Sequence, residues 1–369
     1  MIKRIKRSLA QTRLARYTKE NERYLIPTML VGGVLVDFIT FKTIELSTAF
    51  TILGVYTLIA GASIIFINVA RHNRQTSTNF IYKYTEILAP LVLQFTFGAL
   101  LSASLVFYWF SGTLSVSWPF ILVIALIIAS NDVLRKYYLR PTVQIAVYFF
   151  ILFSLSTLVL PFFFNSISAW VFFLAAGLSL ALIYLYVQLL TKVLPDIRAI
   201  HPQIRTSVLV IVLAMLSLYT LNIIPPIPLS LREAGVYHHI SRAGGGYIVD
   251  AEKTNLLDRL LPGQTVHITT SQPAYVYTSI FAPAELDTRI VHNWKYFDPD
   301  VRKWISKAKL SYSIVGGRAD GYRGFSFRRN LSEGKWLVSV ETERGQVLGR
   351  IKFSVSHNVD EVEIVEMTK

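Results

Sequence analysis

The sequence predicts a membrane-embedded, all-α bundle of seven helices followed by an all-β sandwich domain. The first observation is composition, because 53% of the 369 residues are apolar and only 16% are charged. A mean hydropathy of +0.45 is too high for a water-soluble chain. The second observation is a series of long apolar runs before residue 225, and the third is an alternation of apolar and polar residues after residue 245.

Seven apolar runs are long enough to cross a bilayer, whose hydrocarbon layer of about 30 Å takes about 17 to 25 helical residues. Backbone groups in lipid must be hydrogen-bonded within their own segment, so these runs are predicted to be helices rather than strands. The predicted spans are 24–42, 47–70, 87–110, 114–131, 142–163, 168–190 and 206–224. Together they form a predicted bundle over residues 24–224.

Basic residues alternate between rich and poor connections, and short loops rich in Lys and Arg stay on the cytoplasmic side. Seventeen of them lie in the N-terminal segment 1–23 and in the connections after the second, fourth and sixth spans, whereas only Lys42 lies in the three intervening loops. Residues 1–23 are therefore expected in the cytoplasm, and an odd number of spans puts the C-terminal region outside it. These loops explain most of the net charge of +14, so no nucleic-acid partner is predicted.

The composition changes abruptly at Pro225, Pro226 and Pro228, which predict a Pro-rich exit linker over residues 225–245. From 246 to 358 the chain reads as short alternating segments separated by turns, which is typical of an extracytoplasmic β-sandwich. The set Trp336, Val338 and Val340 illustrates the alternation that turns one face of a strand into a core. Residues 359–369 are predicted to be an acidic C-terminal tail.

Several kinds of chemistry are excluded or not predicted. The sequence has no cysteine, which excludes disulfides, thiolate catalysis and Cys-ligated metals. It shows no Gly-rich phosphate loop and no serine nucleophile elbow, so no catalytic residue and no cofactor are predicted. Adjacent His238 and His239 would point to opposite faces of a strand, and no metal-ligand spacing accompanies the other histidines after the bundle, so no metal site is expected. Those other histidines are His267, His292 and His357.

Four polar residues in or near the spans are candidates for an intramembrane site: Asp37, Gln94, Gln144 and Asn222. Acids within a span are costly and suggest proton or cation coupling, or the binding of a polar ligand. The alternative is that Asp37 lies at headgroup depth beside Lys42. Hydrogen bonds between helices would explain the amides equally well.

A possible ligand face of the sandwich is formed by His292, Trp294 and Tyr296, which share one strand face by alternation. These side chains could be an aromatic platform for a sugar or a peptide, or they could pack in the core with His292 hydrogen-bonded. Arg323 is a further candidate, because alternation places it beside the apolar Phe325 and Phe327. Either a bulge shifts the register there, or the arginine stem covers the face while its head reaches an acidic partner or a lipid phosphate. The simpler interpretation, which the sequence favours, is a solvated edge.

Residues 275–356 contain a series of motifs: His292 to Trp294, Gly321-Tyr322-Arg323 with Ser326, Gly334-Lys335-Trp336, and Gly345 to Gly349 with Phe353. Through these motifs the range resembles a bacterial family catalogued as domain of unknown function 2914. The resemblance extends more loosely to Pro225–Ser230 and to the stretch from Gly32 to Asp37. It implies an Ig-like sandwich attached to a multi-span helical region, and it supplies no catalytic residues because the family has no established activity.

Two functional hypotheses follow. In the first, the bundle anchors the sandwich in the lipid bilayer, and the sandwich binds an envelope protein or glycan. In the second, the bundle transports or modifies a small polar or lipid-linked substrate with the sandwich as a lid. The sequence favours the first hypothesis and a protein that is not an enzyme, and it predicts no oligomeric state.

Overall fold

The computed structural model describes residues 46–73, 80–111, 114–133, 140–225, 229–243, 246–253, 264–282, 287–315, 322–357 and 362–369. These residues form two compact units. The helical unit takes its members from Met1–Phe107, Ile121–Val159 and Leu174–Leu216, and the β unit from Tyr108–Phe120, Leu160–Phe173 and Ser217–Lys369. The β unit thus includes the ends of several helices together with the C-terminal strands.

Six α-helices occur in the described part of the N-terminal half, and they end where the apolar runs end. They are α1 (Leu46–Asn73), α2 (Phe80–Ser111), α3 (Leu114–Val133), α4 (Pro141–Phe163), α5 (Ala169–Val193) and α6 (His201–Thr220), with a 3₁₀ helix at Pro195–Ile200 before α6. Pro141 and Pro195 begin their helices, where a missing backbone N–H costs nothing.

Five helical segments are long and apolar enough to cross a membrane: Ser47–His72, Leu88–Trp109, Pro141–Phe163, Ala169–Val193 and Pro195–Thr220. The apolar part of α3 is shorter, at Val116–Ser130. The helical, apolar character predicted for the N-terminal half is therefore confirmed. The predicted span 24–42, and Asp37 with it, lies outside the described residues, so the count of seven spans stays a prediction.

Helices α1, α4 and α5 approach closely at Gly61. The Tyr186 hydroxyl donates to the Gly61 carbonyl at 2.8 Å, and the Tyr148 hydroxyl donates to the Thr57 carbonyl at 3.3 Å. A Cβ atom at Gly61 would lie 2.8 Å from the Tyr148 hydroxyl oxygen, whereas a Cβ atom at Gly54 would meet no atom within 4 Å. Small size is therefore required at Gly61 and not at Gly54.

The C-terminal region is all-β, as predicted. Its strands are β1 (Ser230–Tyr237), β2 (His239–Ala243), β3 (Gly246–Glu252), β4 (Gln264–His267), β5 (Ala274–Phe281), β6 (Asp287–Asp298), β7 (Lys303–Val315), β8 (Tyr322–Arg328), β9 (Gly334–Thr342), β10 (Val347–Ser356) and β11 (Ile364–Thr368). They form a five-stranded sheet β4-β10-β9-β6-β7 and two three-stranded sheets, β1-β5-β8 and β11-β3-β2.

The β1-β5-β8 sheet lies between the other two sheets. One face packs through Val236, Ala274 and Val276 into a cluster with Trp294 and Trp336 of the five-stranded sheet. The other face packs into a second cluster, which joins Tyr237 and Tyr277 to Ile240, Tyr247, Val249 and Ala251 of the β11-β3-β2 sheet. A strand buried on both faces needs apolar residues at successive positions, which explains Val236-Tyr237 and Val276-Tyr277.

This three-sheet arrangement differs from the two-sheet, Ig-like sandwich that the family resemblance implies. The range 225–245, expected as a linker, contains strands β1 and β2, and the expected acidic tail 359–369 contains β11. Strand β11 pairs antiparallel with β3, so that Met367 lies opposite Val249. The partners of β1 and β11 lie far away in the sequence, whereas β2 has only five residues and pairs with the neighbouring β3.

The close approach of helices at Gly61 gives a testable prediction. The substitution Gly61→Ala should lower the stability of the purified full-length protein by about 1–3 kcal/mol, because the added methyl group displaces the Tyr148 ring from its site in the bundle. The matched control Gly54→Ala should leave stability unchanged or raise it slightly, because alanine favours a helix. Thermal unfolding in detergent measures both variants, and equal melting temperatures for the two would contradict the proposed packing.

Candidate binding surface

The predicted ligand face of the sandwich lies largely in the core. His292 and Trp294 are completely buried, and Tyr296 is half-buried with its ring against Trp336. The Tyr296 hydroxyl donates to the Glu333 carbonyl at 3.1 Å. A ligand therefore has no access to His292 or Trp294 in this structure, and these residues act as core residues, which was the alternative left open by the sequence.

A hydrogen-bonded network surrounds the buried His292. Its Nε2 lies 3.0 Å from the Thr278 hydroxyl and its Nδ1 lies 2.8 Å from the Ser326 hydroxyl, which also accepts from Trp294 Nε1 at 3.0 Å. The Thr278 hydroxyl is also 2.6 Å from the Tyr312 hydroxyl. Burial lowers the pKa of His292 to about 4, so the imidazole is neutral at pH 7.

Arg323 lies on the face of the β1-β5-β8 sheet that packs against the β11-β3-β2 sheet. Strands β5 and β8 pair in regular register from Ala274 opposite Arg328 to Ile280 opposite Tyr322, so no bulge occurs. Because the β1-β5-β8 sheet is covered on both faces, the face of β8 that carries Phe325 and Arg323 packs against another sheet. Arg323 Nη1 donates to the Lys369 carbonyl at 3.1 Å, so Arg323 ties β8 to the C-terminal strand.

The polar residues predicted in the spans have separate roles. Gln144 is completely buried and its Oε1 accepts from Asn68 Nδ2 at 2.8 Å, while the same Asn68 nitrogen donates to the Ile64 carbonyl. Gln144 Nε2 has no hydrogen-bond partner within the described residues. Gln94 lies in α2, and Asn222 follows the end of α6 with a positive φ of 55°. The structure does not bring Gln94, Gln144 and Asn222 into one described cluster.

A cluster that the sequence did not suggest joins His238, Glu252 and His267. One Glu252 oxygen lies 2.8 Å from His238 Nε2 and accepts from the His267 backbone N–H, and the other lies 3.0 Å from His267 Nδ1. Burial raises the pKa of Glu252, but these hydrogen bonds outweigh that effect and hold it below its usual range. No group of three metal-ligating residues suited to an ion occurs among the described residues.

A group of basic and polar residues lies on the outward side of the five-stranded sheet. On β6, Ile290 and Trp294 point into the core, so Arg289, Asn293 and Lys295 point outward. We call this surface the cationic face, and its basic residues are Arg289, Lys295, Lys309, Lys335, Arg350 and Lys352. Its serines are Ser306, Ser311, Ser313, Ser339 and Ser354.

Strand register fixes the spacing of these cations. One row across the sheet runs Arg350, Ser339, Asn293 and Lys309. Neighbouring strands are about 4.8 Å apart, so the two cations that end this row are about 14 Å apart. The next row places Lys352 two strands away from Lys295, at about 10 Å. The cations are therefore distributed over a broad, flat surface rather than gathered in a pocket.

Glu341 is the only acid among the described side chains at the outward positions of this sheet. It is 8% exposed, and its Oε1 lies 3.4 Å from Lys295 Nζ. Asn293 Nδ2 donates to the same carboxylate at 3.3 Å and its Oδ1 accepts from Ser306 at 2.7 Å. This carboxylate is thus buried and paired. A second acid, the exposed Glu343 in the turn after β9, has its Oε1 3.7 Å from Arg289 Nη1, and the six basic residues of the face outnumber these two acids.

Two aromatic residues lie at one corner of the cationic face. The rings of Phe297 and Trp304 are 5.3 Å apart, and Trp304 is 38% exposed. The adjoining turn is held by Asp298, whose Oδ1 accepts from the backbone N–H groups of Asp300 and Val301 at 2.9 and 3.2 Å. The corner therefore offers an exposed indole on a well-defined hairpin.

Comparisons with known proteins agree with the family resemblance in part of the chain. Residues 287–355 match the family model described as "Protein of unknown function (DUF2914)", which covers β6 to β10 and most of the cationic face. No curated protein matches the chain. A solved structure of Pseudomonas fluorescens alkylpurine DNA glycosylase AlkC, bound to DNA containing an abasic site analog, aligns at 13% identity over 85% of this chain and 82% of that chain, with a TM-score of 0.21. A TM-score this low carries no argument about fold or function.

The neutral, buried His292 predicts a pH dependence of stability. The unfolded chain binds a proton at His292 near pH 6.5, whereas the folded chain binds it only near pH 4. The free energy of unfolding should therefore fall between these pH values, by about 3 kcal/mol from this residue, and change no further below the folded pKa. The difference between wild type and His292→Gln, measured by denaturant unfolding followed by tryptophan fluorescence, should show this loss. A constant difference across this pH range would contradict it.

Proposed function

We propose that this chain is an integral membrane protein whose β unit lies outside the cytoplasm and binds an acidic glycan of the cell envelope through the cationic face. The observation that carries the proposal is the sorting of charge on the five-stranded sheet. Six basic residues occupy outward positions there, against the buried and paired Glu341 and one exposed acid, Glu343, which lies beside Arg289 in the turn after β9.

The membrane placement is supported by the helices and by the aromatic residues at their ends. Helix surfaces expose large apolar side chains such as Leu58, Phe66 and Leu185, which lipid would cover. Trp109, Trp118 and Trp170 are exposed at helix ends within the β unit, as expected for a membrane–water interface. No lysine or arginine occurs in 108–120 or 160–173, whereas Lys192, Arg198 and Arg205 lie near the junction of α5 and α6.

The geometry of the cationic face suits an extended polymer. A sheet surface with basic residues about 10–14 Å apart can contact successive acidic groups of one chain, and the exposed hydroxyls of Ser311 and Ser313 on β7 can donate to sugar oxygens. Each exposed pair contributes little in water, so affinity requires several contacts at once. The exposed indole of Trp304 adds an apolar surface on which the face of a sugar ring can stack.

This proposal predicts that charge reversal on the face weakens binding to a sulfated polysaccharide. The double variant Lys309→Glu/Lys352→Glu of the full-length protein in detergent should bind dextran sulfate at least about tenfold more weakly than wild type, a change of about 1.4 kcal/mol. Wild-type affinity should fall as salt is added, because exposed ion pairs are screened. Uncharged dextran should not bind.

The matched control is Arg232→Glu/Arg329→Glu, which changes the net charge equally at two exposed positions outside the five-stranded sheet. It should retain most of the affinity for dextran sulfate. Equal loss in both double variants would show that only net charge matters and would refute a defined face. Binding to an acidic envelope protein without any binding to acidic polysaccharides would reject the glycan as the ligand.

A further inference from the structure

The turn between β9 and β10 is fixed to the end of helix α6. Asn222, which follows α6, donates from Nδ2 to the Arg344 carbonyl at 3.2 Å. The buried Gln346 donates from Nε2 to the Ile224 carbonyl at 3.4 Å. These contacts lie within the β unit, and they hold Arg344 beside the last turn of the helix.

The Arg344 side chain is positioned by an aromatic stack. Its guanidinium carbon lies 4.3 Å from the centroid of the Tyr219 ring, which is typical of a cation–π contact. The Tyr219 ring stacks on Phe172 at 3.6 Å with an angle of 2° between the planes. Arg344 is exposed, and no carboxylate within the described residues forms an ion pair with it. The cation is therefore held in place without a described counterion.

A second observation at the same place is the Tyr219 hydroxyl. Tyr219 is 5% exposed, and its hydroxyl is buried with no hydrogen-bond partner in the described part of the chain. A buried hydroxyl without a partner is destabilising, because it has lost its hydrogen bonds to water. The hydroxyl belongs to the ring that Arg344 covers, so an anion bound by the guanidinium would lie near a donor that needs an acceptor.

Exposed apolar side chains lie next to Tyr219 or close in sequence to Tyr219 and Phe172. Phe173, whose ring is 6.3 Å from that of Tyr219, is 55% exposed, Leu221 is 67% exposed and Trp170 is 50% exposed. Water is a poor partner for such a surface, whereas acyl chains would cover it, and tryptophan prefers the level of lipid headgroups. Arg344 therefore lies where an apolar surface meets a polar domain, which is the level of lipid phosphates.

We propose that Arg344, with the Tyr219 hydroxyl, binds the phosphate of an anionic phospholipid at the end of α6 that belongs to the β unit. This inference rests on the membrane placement of the helices but not on glycan binding. The phosphate accepts hydrogen bonds from the planar guanidinium, and the acyl chains lie against Phe173 and Leu221. Free phosphate has the same headgroup chemistry but leaves that apolar surface uncovered, so we assign the site to lipid.

The test is lipid retention by the full-length protein. Protein purified in the presence of equal amounts of phosphatidylglycerol and phosphatidylcholine is analysed by native mass spectrometry, and wild type should retain phosphatidylglycerol preferentially. Arg344→Gln should lower the retained ratio of the two lipids by about tenfold. Arg344→Lys should give an intermediate ratio because it keeps the charge but not the planar fork, and Tyr219→Phe should lower the ratio severalfold.

The matched control is Arg350→Gln, another exposed arginine, which lies on β10 within the cationic face. It should keep the wild-type lipid ratio. Unchanged phosphatidylglycerol retention in Arg344→Gln, an equal loss in Arg350→Gln, or no preference in wild type would each overturn the proposal. Displacement of the lipid by excess inorganic phosphate would overturn the assignment to lipid.

Two further measurements are needed. One distinguishes loss of the lipid site from a folding defect, and the other distinguishes the lipid site from the proposed glycan site. Tyr219→Phe removes one oxygen atom, so its lipid ratio tests the site even if Arg344→Gln aggregates. Binding of Arg344→Gln to dextran sulfate should equal that of wild type. A loss of dextran sulfate binding in this variant would place Arg344 in the polymer site and contradict a separate lipid site.

Discussion

The cost of placing charge in hydrocarbon is the constraint on which this account depends. A lysine or arginine at the centre of an apolar span costs about 2.5–3.5 kcal/mol, so basic residues are confined to the connections. Their alternation with basic-poor connections is a property of the sequence. The structure adds that some of the helix ends are grouped with the strands in the β unit. The helix ends grouped with the strands, within 108–120, 160–173 and 217–224, contain no lysine or arginine.

Strand pairing in the β unit brings basic residues together on one sheet face, which the composition of the region does not indicate. Residues 225–369 contain 19 basic and 16 acidic residues, so the net charge of the region as a whole does not indicate polyanion binding. In the fold, alternation along β6, β7, β9 and β10 collects lysines and arginines on one face, while the carboxylate of Glu341 is buried against Lys295. Both faces of the middle sheet pack against other sheets, so exposed charged side chains are placed on the outward faces of the two outer sheets.

Helical character could be predicted because it depends on local length and apolarity, and the six described helices coincide with six of the predicted spans. The β region was predicted as a class, but β1, β2 and β11 were not. The partners of β1 and β11 are distant in the sequence, and β2, which pairs with the neighbouring β3, has only five residues. The same limit applies to sites. Glu252 meets His238 and His267 only through the fold, and Arg344 meets Tyr219 across more than a hundred residues.

The central claim is that the β unit and the basic connections lie on opposite sides of the membrane. The chain has no cysteine, so single cysteines can be introduced at Ser313, exposed on β7, and at Ala199, exposed in the connection before α6. A membrane-impermeant maleimide added to intact cells should label Ser313→Cys, whereas Ala199→Cys should be labelled only after the membrane is permeabilised. Labelling of Ala199→Cys but not Ser313→Cys in intact cells, or of both, would contradict the account.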